Sequence, residues 1–202
     1  MKYPDFFDAV PKIELRDPLA EFLGAADKGI LQYGYIDAVK LAGHSCPTVA
    51  AAYWSTCKAL AALYPDSLPV RGEIKVEFSD DITTGVTGVI ANVVSMLTGA
   101  TAESGFKGIG GHFDRRDHLF FSAGIKGEIR FTRLDSNLSV LVDSNLQHVP
   151  GSPRVSTLMA SCIRNTASKE EVAEFRQLWQ ERVRRILLEY RDDPAVFVVT
   201  PD

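Results

Sequence analysis

Two residues combine types and spacing that could do chemistry, His44 and Cys46, in the stretch Ala42-Gly43-His44-Ser45-Cys46-Pro47-Thr48. The chain holds three cysteines and four histidines, and nowhere else do the two types lie two residues apart. A thiolate is both a nucleophile and a metal ligand. An imidazole two residues away can share its metal or serve as its base. The spacing leaves three readings open: a metal-ligand pair, a metal-free thiol nucleophile with His44 as base, and a small apolar cysteine packed at a helix start. A single H-x-C is a weaker signal than paired C-x-x-C motifs.

The element that must position this pair follows it directly. Pro47 suits a first helical position, where its missing N–H would have had no partner. Thr48 to Leu63 is rich in alanine and leucine, has no internal glycine or proline, and predicts a helix of about four turns. Cys46 then falls at the N-cap, where free backbone N–H groups favour negative charge. Gly43 lets the backbone turn tightly beside it. Val49, Tyr53, Cys57 and Leu60 recur at intervals of three and four and mark a core face, so Cys57 is read as packing.

Other candidate residues lie in three loops. Thr83 to Gly88 precedes an apolar run, Val89 to Leu97, so Thr87 and Gly88 are placed to offer backbone N–H groups to an anion. No P-loop pattern is present. The glycine-rich segment Gly105 to Gly111 frees the backbone to bring Lys107 and His112 to a ligand. In Asp114-Arg115-Arg116-Asp117-His118, Arg115 can balance a ligand's charge beside Lys107; Arg116 and His118 read as solvated. Asp80 and Asp81 read as a turn or cap, with metal ligation as the alternative.

Length and composition bound these readings. A chain of 202 residues with 46% hydrophobic content suits one domain with an elaboration, or two small ones. A net charge of −4 without a basic block argues against nucleic acid as a partner. No apolar run is long enough to span a membrane. Met1 to Val10 lacks the apolar stretch of a secretory signal, and three scattered cysteines make no disulfide framework, so the expected compartment is the cytoplasm.

The remaining pattern predicts an α+β fold, a mixed or antiparallel sheet packed with helices, plus a C-terminal helical hairpin. Asp17-Pro18 caps a short helix to about Ala26. Ile74, Val76 and Phe78 alternate with Glu73, Lys75 and Glu77 in a half-buried strand. Leu119 to Phe121, Ile125 to Arg133 and Leu138 to Val142 suggest an antiparallel meander. The cluster Pro150-Gly151-Ser152-Pro153 marks a boundary between 1–149 and 150–202. Beyond it one helix carries Val155, Leu158, Met159 and Cys162. A second opens with the capping box Ser168-Lys169-Glu170-Glu171. Ala195 to Val199 reads as a last edge strand.

At the central motif and beyond, the chain resembles the FmdE-like proteins, a family related to formylmethanofuran dehydrogenase. That family's motif H-G-H-x-C-P-G is matched at Gly43, His44, Cys46 and Pro47. Its second segment, D-x-C-x-V-D-A-I-Q-x-L-T-G-C-T, aligns with Thr87 to Thr101 and is matched at Leu97, Thr98, Gly99 and Thr101. Ala42 and Thr48 replace a family His and Gly; Val89 and Ala100 replace two cysteines. The resemblance implies an α+β core, zinc held at His44 and Cys46, and a homodimer. Since zinc normally takes three or four protein ligands, His112, Asp80 and Asp81 are the replacements to test, His112 first. The resulting expectation is a metal-binding protein with a pocket for a small anionic molecule, with a metal-dependent reaction as one use of the same site. The alternatives are a Cys46/His44 thiol enzyme and a non-catalytic dimeric interaction module.

Overall fold

The structure is a computed structural model and describes residues 2–202. Its centre is the helix that the Cys46-Pro47 signal predicts, α3 (Pro47–Leu63). Apolar side chains lie on nearly every side of it, which is the pattern of an interior helix. Val49, Ala50, Tyr53, Ala59 and Leu60 have no exposed surface. A fully buried Leu60 contributes roughly 1.5–3 kcal/mol. Tyr53 donates its hydroxyl to the Pro11 carbonyl, and Trp54 donates its indole N–H to Leu187 O, so the polar atoms on the helix flanks find partners.

The main sheet packs against α3. Its strands are β3 (Ile74–Phe78), β6 (Leu119–Phe120), β7 (Ile129–Arg133), β8 (Ser139–Ser144) and β9 (Phe197–Pro201), in spatial order β6-β3-β7-β8-β9. The alternation in β3 is realised: Ile74, Val76 and Phe78 are buried. On the opposite face Glu77 lies across from Arg130, which bridges to it at 2.9 Å and to Asp202 at 3.0 Å. Of the predicted meander, β7 and β8 pair antiparallel, flanked antiparallel by β3 and β9, whereas β6 does not join β7 and pairs parallel to β3 instead. The chain reaches β6 after α4 (Thr87–Thr98) and a small hairpin, and so approaches the edge of β3 from the far end. That hairpin is β4 (Lys107–Ile109) and β5 (His112–Asp114), turned by Gly110 and Gly111 at positive φ. The glycine-rich segment is therefore a two-stranded ribbon rather than a loop.

Before α3, β1 (Ile13–Arg16) and β2 (Ile30–Tyr33) form an antiparallel pair around α1 (Pro18–Phe22). Helix α2 (Tyr35–Ala42) then packs on α3 and α4 and ends at Gly43, whose φ of 75° terminates it.

The boundary near residue 150 falls just before α5 (Arg154–Ile163) and α6 (Lys169–Arg184), which pack on each other as a hairpin. The residues after it return to the body. Val183, Ile186, Leu187, Val196 and Phe197 share one core with Val49 and Leu60, and β9 completes the sheet. The capping box opening α6 forms as its spacing predicts: Ser168 Oγ accepts from Glu171 N, and Glu171 accepts from Ser168 N. Ser168→Ala is expected to cost about 1 kcal/mol, measured by chemical denaturation.

Candidate functional site

The predicted pair sits where α2 hands over to α3. Cys46 is the N-cap of α3, and its buried Sγ accepts the Val49 N–H at 3.4 Å. His44 is exposed, and its Nδ1 lies 2.9 Å from the Ala42 carbonyl. A carbonyl only accepts, so Nδ1 must carry the proton and Nε2 keeps its lone pair. Metal-bound histidines are commonly oriented by this backbone contact. The turn is tied to the C-terminal hairpin: Ser45 O accepts from Trp179 Nε1 and Gln180 Nε2, and Ser45 Oγ bonds Tyr35 and Gln180. His44 and Cys46 each engage a backbone group, His44 through Nδ1 and Cys46 through Sγ.

The other candidates are dispersed. Thr87 and Gly88 lie at the start of α4, where Thr87 N donates to Thr84 O and the amides of Val89 and Ile90 donate to Val86 O. The enclosed cavity beside them, about 190 Å³, also faces Asp80 and Glu128. Burial pushes the Glu128 carboxyl above its usual range, against the hydrogen bonds from Ser144. Two acidic side chains in that small space oppose an anion. Lys107 and His112 are exposed on the β4–β5 ribbon. Asp81 accepts the Thr83 N–H and hydroxyl in a local turn. Cys57 is buried, and burial pushes its thiol up to about 12, so it packs rather than reacts.

An imidazole nitrogen and a thiolate sulfur, the groups that His44 and Cys46 carry, are both ligand types that zinc takes. Among the described residues no group of three His, Cys, Asp or Glu side chains converges to hold a metal ion, so a closed four-ligand cage is not formed within the chain. No protein-family model matches the chain, and no curated protein sequence matches it.

Arg115 is the charged pocket candidate drawn into the interior. Its Nη2 donates to Asp17 Oδ1 at 2.7 Å. Arg71 Nη1 donates to the other oxygen of the same carboxylate at 2.8 Å, and its Nε and Nη2 donate to Met96 O at the end of α4. Asp17 also caps α1 through Leu19 N and Ala20 N. Burial pushes the Asp17 carboxyl up, but Arg71, Arg115 and the capping N–H groups outweigh it and hold the group below its ordinary value of 3.8. Sequence reasoning found the cap at Asp17 and the charge on Arg115 but not their meeting; Asp17 is 54 residues from Arg71 and 98 from Arg115. Arg116 is exposed on Asp114, as expected. His118 differs from the solvated reading: it is half-buried, with Nδ1 enclosed.

Proposed function

We propose that the protein is a metal-binding protein of the FmdE-like kind, with His44 and Cys46 as its ligands. Zinc is the metal that an imidazole and a thiolate suit best among the common ions. The observation supporting this is the bond from His44 Nδ1 to Ala42 O, which leaves Nε2 as the ring's ligating atom two residues before the α3 N-cap that carries the thiol. Two ligands leave positions open, so the metal is exchangeable and accessible to water or substrate. A bound zinc ion would supply Lewis acidity, polarising a carbonyl or activating water. The chain's own residues orient the imidazole through Ala42 O and hold the turn through Trp179 and Gln180. A cytoplasmic homodimer is part of the same reading. Among the described residues, no helix is long and apolar enough to cross a membrane.

Elemental mass spectrometry on untagged protein tests this reading. Wild type is expected to carry close to one zinc per chain after zinc addition and desalting. His44→Ala and Cys46→Ser are each expected to retain less than about a tenth of it, since even outer-shell changes cost 10–100-fold in affinity. Wild type that takes up no metal overturns the proposal; rapid alkylation of Cys46 in that protein would then favour thiol chemistry.

A further inference from the structure

A second site lies around Arg115, independent of the His44/Cys46 pair. A cleft of about 360 Å³ is lined by Pro18, Arg71, Gly72, Phe113, Arg115 and His118, among others. Its floor is charged and unusually enclosed. The Arg115 side chain is only 7% exposed, and its Nη1 makes no hydrogen bond with any described residue. His118 Nδ1 is likewise buried and unpartnered. A buried polar atom without a partner typically costs about 1–3 kcal/mol, more on a charged group, so two such atoms beside one cleft call for a partner. The space around Nη1 is built by glycine. A Cβ on Gly72 would fall 1.9 Å from Nη1, and one on Gly99 would fall 2.5 Å from it.

Charge decides the ligand class. Arg71 and Arg115 share the single carboxylate of Asp17, leaving one excess positive charge in the floor. Asp114 and Asp135 also line the cleft, but Arg116 and Arg133 neutralise them at 2.7 and 2.6 Å. Glu73 lines it as well and offsets that excess over the whole cleft, so a carboxylate is drawn by Arg115 locally and a second negative charge on the ligand is disfavoured. Apolar wall is supplied by Phe113, Pro18 and Leu134. Phe113 is held at a φ of 63°, a conformation that a bulky residue rarely adopts, with Phe22 packed against its ring at 5.3 Å.

We propose that this cleft binds a small organic monocarboxylate, its carboxylate set against Arg115 and His118 and its apolar body along Phe113 and Pro18. Burial pushes the His118 imidazole below its usual range, partly offset by Asp114, so near neutral pH it is a neutral ring whose N–H can donate a hydrogen bond to a carboxylate oxygen.

The test is isothermal titration of benzoate and of inorganic phosphate into chelator-treated, metal-free full-length protein, repeated after zinc loading. Saturable benzoate binding is expected, unchanged by zinc and tighter than phosphate binding. His118→Ala and Arg115→Lys are each expected to weaken it about ten-fold, the loss of one charge-assisted hydrogen bond. The histidine variant keeps the test informative if the arginine variant fails to fold. No saturation at millimolar benzoate, tighter phosphate binding, or unchanged affinity in folded His118→Ala would each overturn the proposal. Because the binding is read without metal, its failure and a failure of the zinc reading are separate results.

Discussion

Asp17→Asn is expected to destabilise the protein by about 3–5 kcal/mol, the usual cost of removing one partner from a buried ion pair. The amide keeps an oxygen for Leu19 N and Ala20 N, so the cap on α1 survives and the loss isolates the charge. What remains is two guanidinium groups, one of them 7% exposed, facing each other without a counter-charge. For a domain of this size the melting temperature should fall by roughly 10 °C. The effect has a pH signature. Asp17 is held below 3.8 in the folded state, so its contribution is complete above that value. It is lost as the pH falls further, through the folded value. Wild type should therefore lose stability below about pH 4, and Asp17→Asn should lack that share of the decline. Thermal denaturation of both proteins from pH 7 downward checks this. A loss below about 1 kcal/mol at neutral pH would show that Arg71 and Arg115 do not depend on Asp17.

Gly72→Ala is the second large effect, expected at about 3 kcal/mol or more. Gly72 has a φ of 92°, where any side chain is strained. The new methyl would also occupy the place of Arg115 Nη1. An exposed arginine would swing aside, but this one is fastened to Asp17 and hemmed in by Gly99, so the substitution must break the buried pair. Gly43→Ala is the control. Gly43 has a φ of 75°, but nothing lies within 4 Å of a Cβ there, so it should cost only about 1 kcal/mol. Parallel urea titrations of the two variants separate backbone strain from displacement of the arginine. Equal losses would contradict the account.

Features set by neighbouring residues were legible before the fold was known. Cys46-Pro47 opens α3, Ser168 and Glu171 cap α6, and the alternation of Ile74, Val76 and Phe78 gives a half-buried strand, because each depends on a few adjacent residues. What lay beyond reach depends on long-range closure. The parallel pairing of β6 with β3 follows from the path taken after α4, which no local period encodes. The charged cluster joins α1, the turn before β3 and the end of β5, and each member alone resembles an ordinary cap or surface charge. His118 sits among charged neighbours in a segment that reads as solvated, yet its backbone bonds Thr101 O and Val76 N, long-range contacts that set it against the sheet edge. At His44 and Cys46 local spacing found the pair and the N-cap, whereas the orientation of the imidazole depended on a backbone carbonyl two residues back.

Cobalt(II) substitution tests most directly whether His44 and Cys46 hold a metal together. Stripped protein titrated with cobalt should develop a thiolate-to-cobalt charge-transfer band in the near ultraviolet, with visible bands of a low-coordinate nitrogen and sulfur site. Cys46→Ser should abolish the charge-transfer band. His44→Ala should weaken cobalt binding, while Cys57 and Cys162 contribute nothing to the spectrum. Wild type without a charge-transfer band, or a band that survives Cys46→Ser, would contradict the account.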